Sequence, residues 1–152
     1  MRVSIFGLGY VGAVASACLA RDGHHVVGVD ANADKVAQIR AGRAPVIEAG
    51  LDDLMAAMVA SGRLTATTEA AAAVAESELS LISVGTPSRP NGSLDLSAVE
   101  RVASDLGRAL ATKPGGHLVV LRSTVLPGTT RGLLAPALAE AAGWPVPVWF
   151  NP

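Results

Sequence analysis

Apolar and polar positions along the chain fall into two alternating kinds of block. Short apolar runs at Arg2–Phe6, His25–Val29 and residues 63–67, 79–84, 117–121 and 146–150 read as strands. Between them, apolar residues recur at helical spacing. Val11, Val14, Ala15, Cys18 and Leu19 form one such stripe, predicted to be the buried face of the first helix. Asn32 caps a second helix running through Val36 and Ile39 to Ala41, where Gly42 ends it. Further helices are predicted over residues 52–60, over the alanine-rich stretch 69–76, from Asp95 or Ser97 through Val99, Val102, Leu106 and Leu110, and over residues 130–142. Alanine content makes helix propensity, more than packing, the expected support of the stretch 69–76.

Strand and helix alternate without an internal repeat, and the run Leu-Ser-Leu-Ile-Ser-Val from Leu79 is apolar throughout, as in a sheet covered on both faces. The expected fold is a Rossmann-type doubly wound parallel α/β sheet of about six strands, in the order 3-2-1-4-5-6, with helices on both faces.

The first turn carries the chemistry. Gly7-Leu8-Gly9-Tyr10-Val11-Gly12 follows the first strand at once with the spacing G-x-G-x-x-G. Gly7 permits the tight turn, Gly9 lets a backbone approach a pyrophosphate, and Gly12 lets the new helix pack close to the sheet. The unpaired N–H groups and dipole of the helix start then favour an anion without any basic side chain. Asp30 ends the second strand about 20 residues beyond the glycines, where a ribose-binding carboxylate belongs. The motif alone is weak, but strand, turn, helix, second strand and acid together specify a dinucleotide site. Lys35 follows Asp30 closely, either near the adenosine or as a solvated surface lysine. Thr86 and Thr124 lie in loops leaving the carboxyl ends of the fourth and fifth strands, the edge at which open α/β sheets bind ligands.

Composition narrows the alternatives. The 152 residues suit one domain, and 50% hydrophobic against 16% charged residues excludes a disordered chain. The net charge is −1 and the 12 basic residues are scattered, so no nucleic-acid partner is expected. Arg2 before an apolar run, with Ala15-Ser16-Ala17-Cys18, loosely imitates a lipoprotein leader, but the strand-turn-helix reading accounts for the interrupting glycines. No apolar run approaches the ~20 residues of a membrane span, so no membrane association is expected. The single cysteine forms no internal disulfide, consistent with a reducing, cytoplasmic setting. Cys18 has no flanking base on its helix and reads as packing rather than a reactive thiol. His24 and His25 point to opposite faces at a strand start and do not form a metal pair. Ser123 and Thr124 lack a nearby base and read as ligand or capping contacts.

Six motifs in order carry a resemblance across essentially the whole chain: Phe6 to Gly12, Gly28 to Asp30, Pro45 to Leu51 (PVIEAGL), Val84 to Pro87 (VGTP), Asn91 to Leu96 (NGSLDL) and Arg122 to Thr130 (RSTVLPGTT). Together they resemble the amino-terminal domain of the UDP-glucose/GDP-mannose dehydrogenase family, with the Leu126-Pro127 pair favouring the GDP-mannose branch. The resemblance implies NAD contacts at Tyr10, Val11, Asp30, Lys35, Thr86 and Thr124, and Asp30 favours NAD over NADP because a 2′-phosphate would meet its carboxylate. Arg40 and Arg43 stand against that preference.

Family chemistry is a two-step oxidation of a sugar C6 alcohol to a carboxylate with two NAD, through a cysteine thioester. By the resemblance that cysteine lies in a later part of the family's chain, with a catalytic glutamate, a substrate-binding lysine and asparagine, and a helical linker to a second domain, and Cys18 does not match its position. The isolated chain is therefore expected to contain no catalytic residue and to be inert. Homo-oligomerisation is expected of the complete enzyme. Ala49 replaces a proline common in the family. The alternative reading is a non-catalytic NAD(H)-sensing module; a simple hydroxy-acid dehydrogenase fits the loops less well.

Overall fold

The computed structural model describes residues 1–113 and 116–152. Six parallel strands form one sheet: β1 (Arg2–Phe6), β2 (His25–Val29), β3 (Leu64–Thr67), β4 (Leu79–Ile82), β5 (Leu118–Leu121) and β6 (Val148–Phe150), in the order β3-β2-β1-β4-β5-β6. The register is set pairwise, with Ile5 beside Gly28 on one side and Leu81 on the other. Helices α1 (Tyr10–Arg21), α2 (Ala33–Arg40), α3 (Leu51–Ala60), α4 (Ala70–Glu76), α5 (Ser97–Ala111) and α6 (Ala135–Ala142) connect the strands. The residue alternation of β1 divides the core in two. Ile5 faces a cluster with Ala13, Ala17, Ile39 and Met55 of α1–α3, whereas Phe6 faces one with Val74, Leu106, Leu110 and Leu138 of α4–α6. This is the doubly wound arrangement expected.

Element existence matches the pattern, and the differences are local. Thr130–Leu134 adopts π-helical geometry before α6, so the last helix is not uniform as expected. Ala73 and Val74 of α4 are buried in the core, so packing holds this helix as well as propensity. The expected buried stripe of α1 is displaced: its buried residues are Gly12, Ala13, Ser16, Ala17 and Ala20. The physical reason is spacing. A Cβ on Gly12 would collide with the Gly7 carbonyl oxygen, so α1 lies too close to the sheet for large side chains beneath it. Val14, Ala15 and Leu19 are only partly buried, Val11 is exposed, and Cys18 is half-buried beside them.

A polar network is buried beneath the amino ends of β1, β4 and β5. Lys113 Nζ donates to His117 Nδ1 at 3.1 Å, and the ring meets Ser80 Oγ at 2.8 Å through Nε2. Ser80 meets Ser4 Oγ at 2.7 Å, and Ser77 donates to Ser4 at 3.0 Å. A lysine donor on Nδ1 leaves Nε2 carrying the ring proton of a neutral imidazole. Burial first, and the Lys113 ammonium second, push the His117 pKa down to about 4, while the Ser77 backbone opposes them. Every hydrogen-bonding group in the cluster is thereby satisfied at the edge of the sheet remote from the glycine turn.

Candidate dinucleotide site

At the carboxyl edge the chain turns on Gly7, whose φ of 95° lies in the left-handed region and whose N–H donates to Val29 O at 2.8 Å. A side chain there would strike the Ser83 carbonyl oxygen at 2.7 Å, so β1, β2 and the end of β4 meet at this glycine. Gly9 differs from its two partners. Nothing lies within 4 Å of a Cβ built on it, which leaves open space before the first turn of α1. No side chain caps that turn and no acidic residue occupies it. The N–H groups of Tyr10, Val11 and Gly12 precede the first intrahelical bond, which Ala13 makes to Gly9 O at 2.9 Å. Open space, free donors and the positive end of the helix together fit a pyrophosphate.

Asp30 is fixed by the same turn. Leu8 N–H donates to Asp30 Oδ2 at 2.7 Å, and Asn32 N–H donates to Oδ1 at 2.9 Å. These are charge-assisted bonds, worth roughly 1.5–3 kcal/mol each where shielded from water. Lys35 Nζ lies 3.7 Å from Oδ2, placed by the Asn32 cap of α2, whose side chain accepts from Asp34 and Lys35 N–H groups. Partial exposure of Lys35 makes this pair a weak contributor to stability. A carboxylate offers about four acceptor sites, so Asp30 keeps capacity for a ribose hydroxyl. Arg40 is turned elsewhere: its Nε donates to Ala66 O at 2.6 Å.

The two loops after β4 and β5 are tied together. Thr86 Oγ1 donates to Thr124 O at 2.6 Å, and Ser123 Oγ donates to Val84 O at 2.7 Å. Arg122 reaches Asn151 after β6. Thr86 and Thr124 therefore form one unit, while Gly7, Gly9, Tyr10, Val11, Gly12, Asp30 and Lys35 gather around the first turn. Tyr10 additionally donates its hydroxyl to Glu48 in the α2–α3 loop, and that carboxylate raises the phenol pKa. In the loop after β4, Arg89 and Asp95 pair at 3.1 Å; the Ser97 N–H, its hydroxyl and the Arg89 guanidinium lower the Asp95 pKa to about 2. This pairing closes the Asn91-to-Leu96 segment on itself.

A cavity of about 240 Å³ extends from Gly7 and Asp30. Phe6, Val29, Val84, Ala98 and Val102 give it apolar walls, and Arg101 and Asp105 stand on its α5 side. Sequence reasoning missed these α5 residues. Their helical spacing shows a second face beside the core stripe of α5, but only the tertiary fold shows that this face meets Asp30. A larger groove of about 640 Å³ runs along the other flank of α1 between Val14, Cys18, Leu79, Leu81 and Val120. Its walls are mostly apolar, which agrees with the displaced face of α1; His24 and Arg122 also line it, and among the described residues neither makes a hydrogen bond to Cys18.

Glycine turn, free helix start, a carboxylate at the end of β2 and a mostly apolar cavity at the switch point of a doubly wound sheet define a dinucleotide-binding domain of the Rossmann type. Similarity to known proteins makes the assignment particular. A model of the UDP-glucose/GDP-mannose dehydrogenase family, NAD binding domain, matches residues 1–152, and the chain belongs to that family. It is 51% identical to the GDP-mannose 6-dehydrogenase of Azotobacter vinelandii over 143 residues, 94% of this chain and 33% of the relative. The ternary-complex crystal structure of GDP-mannose dehydrogenase from Pseudomonas aeruginosa superposes with a TM-score of 0.98 at 45% identity, covering 100% of this chain and 36% of that one. A UDP-glucose dehydrogenase from Pyrobaculum islandicum gives 0.91 at 46% identity, covering 97% and 34%. The chain thus spans about a third of the length of the curated relatives it matches. Among the described residues, no helix is long and apolar enough to cross a membrane.

Proposed function

We propose that this chain is the NAD-holding part of a cytoplasmic nucleotide-sugar 6-dehydrogenase, acting on GDP-mannose in preference to UDP-glucose and converting the C6 alcohol to a carboxylate. The observation that carries the reading is the joining of Asp30 to the glycine turn through Leu8, in a chain whose fold and sequence match GDP-mannose dehydrogenases over nearly its full length. Bound NAD supplies the hydride acceptor. The N–H groups of Tyr10, Val11 and Gly12 hold its pyrophosphate, Asp30 and Lys35 orient the adenosine ribose, and the tied Thr86–Thr124 loops border the other half of the cofactor. Shape and dipole do this work without a basic side chain at the phosphates.

The chain by itself binds NAD without turning over. Its lone cysteine sits in the apolar groove on α1, and the loops of the carboxyl edge contain no thiol to trap an aldehyde. The complete enzyme is a homo-oligomer in this reading. The test joins this chain to the remaining two-thirds of a GDP-mannose dehydrogenase and follows NADH formation. Turnover with GDP-mannose exceeding that with UDP-glucose supports the proposal. Absence of NADH with every nucleotide sugar, from a folded fusion that binds NAD, overturns it in favour of an NAD(H)-sensing module.

A further inference from the structure

The cavity beside Asp30 has one wall that no motif accounts for. Ala98, Arg101, Val102 and Asp105 all line it, and their spacing of three, four and seven residues places them on one face of α5. This face borders the stripe Val99, Ala103, Leu106 and Leu110 that α5 buries in the core; Val102, expected in that stripe, is only partly buried and lines the cavity as well as packing against the core. Across the cavity stand Phe6, Val29 and Val84, so the slot is mostly apolar, with Asp30, Thr68, Arg101 and Asp105 as its polar lining.

The three charged groups of this lining are not equivalent. Asp30 is committed to the Leu8 and Asn32 N–H groups and to Lys35. Asp105 is committed to Arg108. Arg101 is solvent-exposed at the mouth of the slot and has no hydrogen bond or ion pair among the described residues, although the Asp105 carboxylate lies one helical turn away. A guanidinium left free on the wall of an apolar slot is suited to a flat, electron-rich ring, because it is planar, weakly hydrated and stacks on aromatic faces.

Gly7, Asp30, Ala31 and Thr68 line the slot on the side of the carboxylate that takes the adenosine ribose, and α5 lines it opposite, so the group next to the ribose that enters it is the base. We infer that Arg101 closes over the adenine of the bound dinucleotide and sets affinity for the adenosine half, a specificity role on α5 rather than on the glycine turn. The inference rests on the dinucleotide reading above. Arg101 acts through its plane more than its charge, since most of the slot, from Phe6, Val29 and Val84 to Ala98 and Val102, offers the ligand apolar contact.

Calorimetric titrations of the parent chain, R101A and R101K with NAD, NADP, adenosine monophosphate and nicotinamide mononucleotide test this. R101A weakens NAD and adenosine monophosphate by about three- to tenfold, leaves nicotinamide mononucleotide unchanged, and melts without ligand as the parent does. R101K stays closer to R101A than to the parent, because an ammonium keeps the charge and loses the plane. Unchanged NAD affinity in R101A overturns the assignment while leaving the cofactor site standing. A loss confined to NADP, or full recovery in R101K, overturns stacking in favour of a phosphate contact. A parent chain that binds none of the dinucleotides overturns the cofactor reading, and this inference with it.

Discussion

Acidification from pH 7 to pH 4 should weaken the fold through one residue, His117. Its imidazole is 1% exposed, is held neutral between Lys113 and Ser80, and has its pKa lowered to about 4 from an ordinary 6.5. The unfolded chain therefore binds a proton on this group between about pH 6.5 and 4, and the folded chain does not. Stability from this source is fully present above pH 6.5, falls as pH drops through the window, and levels off below about 4. A displacement of that size corresponds to about 3 kcal/mol. For a domain near 150 residues each kcal/mol moves the melting temperature by roughly 2–4 °C, so a fall of about 10 °C is expected. Lys113 faces the ring directly, with Arg2 and Glu78 acting on Lys113 in turn. Urea melts of the parent and His117→Gln at half-unit pH steps isolate the contribution, because exposed carboxylates titrate alike in both. The variant should be less stable at pH 7 and show a flatter profile between pH 6.5 and 4. Identical slopes in the two proteins would refute the reasoning.

Two other outcomes follow from the turn and its neighbouring loop. Gly12→Ala drives a methyl group into the Gly7 carbonyl oxygen and must push α1 off the sheet, at a cost on the order of 1–3 kcal/mol; denaturation should show it, with NAD binding lost even where the variant stays folded, whereas parent-like binding would mean that α1 tolerates the shift. Glu48→Gln removes the charge that raises the Tyr10 pKa, and Tyr10 is the single tyrosine. Its tyrosinate absorbance should appear at lower pH in the variant, and an unmoved titration would show that the two side chains do not meet in solution.

Periodicity and turn chemistry made the sheet legible, with β1 stopped by Gly7 and β2 by Asp30, whereas β4 ends at Ile82, short of the expected Val84, with no glycine or proline at that point. The positions of Gly7 and Asp30 in the fold were legible, since the turn motif and the acid at the end of β2 imply a strand-turn-helix whose end meets β2, as the Leu8–Asp30 hydrogen bond shows. The buried face of α1 was not. Large apolar residues at helical spacing suggested that Val11, Val14 and Leu19 face inward, but close approach at Gly12 selects the small face of Ala13, Ser16 and Ala17 instead. A hydrophobic pattern cannot distinguish these faces when the contact distance, rather than the burial of bulk, decides. The Thr86–Thr124 link joins residues far apart in sequence whose loops meet only because β4 and β5 are neighbours. Arg101 escaped notice for a related reason: its helix face is ordinary in sequence and acquires meaning from Asp30 across the cavity. The π-helical start before α6 likewise has no counterpart in the apolar spacing from which a uniform helix was expected.

The central claim is that the first turn and Asp30 hold NAD, and binding to this chain measures it most directly. Thermal denaturation with NAD, NADH and NADP, for the parent and for Asp30→Ala, reads ligand linkage in one assay. A ligand that binds only the folded state adds ~2.7 kcal/mol at one hundred times its dissociation constant, equivalent to several degrees. The account predicts a rise with NAD and NADH, a smaller one with NADP, and loss of the NAD effect in Asp30→Ala measured against that variant's own ligand-free melt. No rise with any dinucleotide, or an undiminished NAD effect in Asp30→Ala, would contradict it.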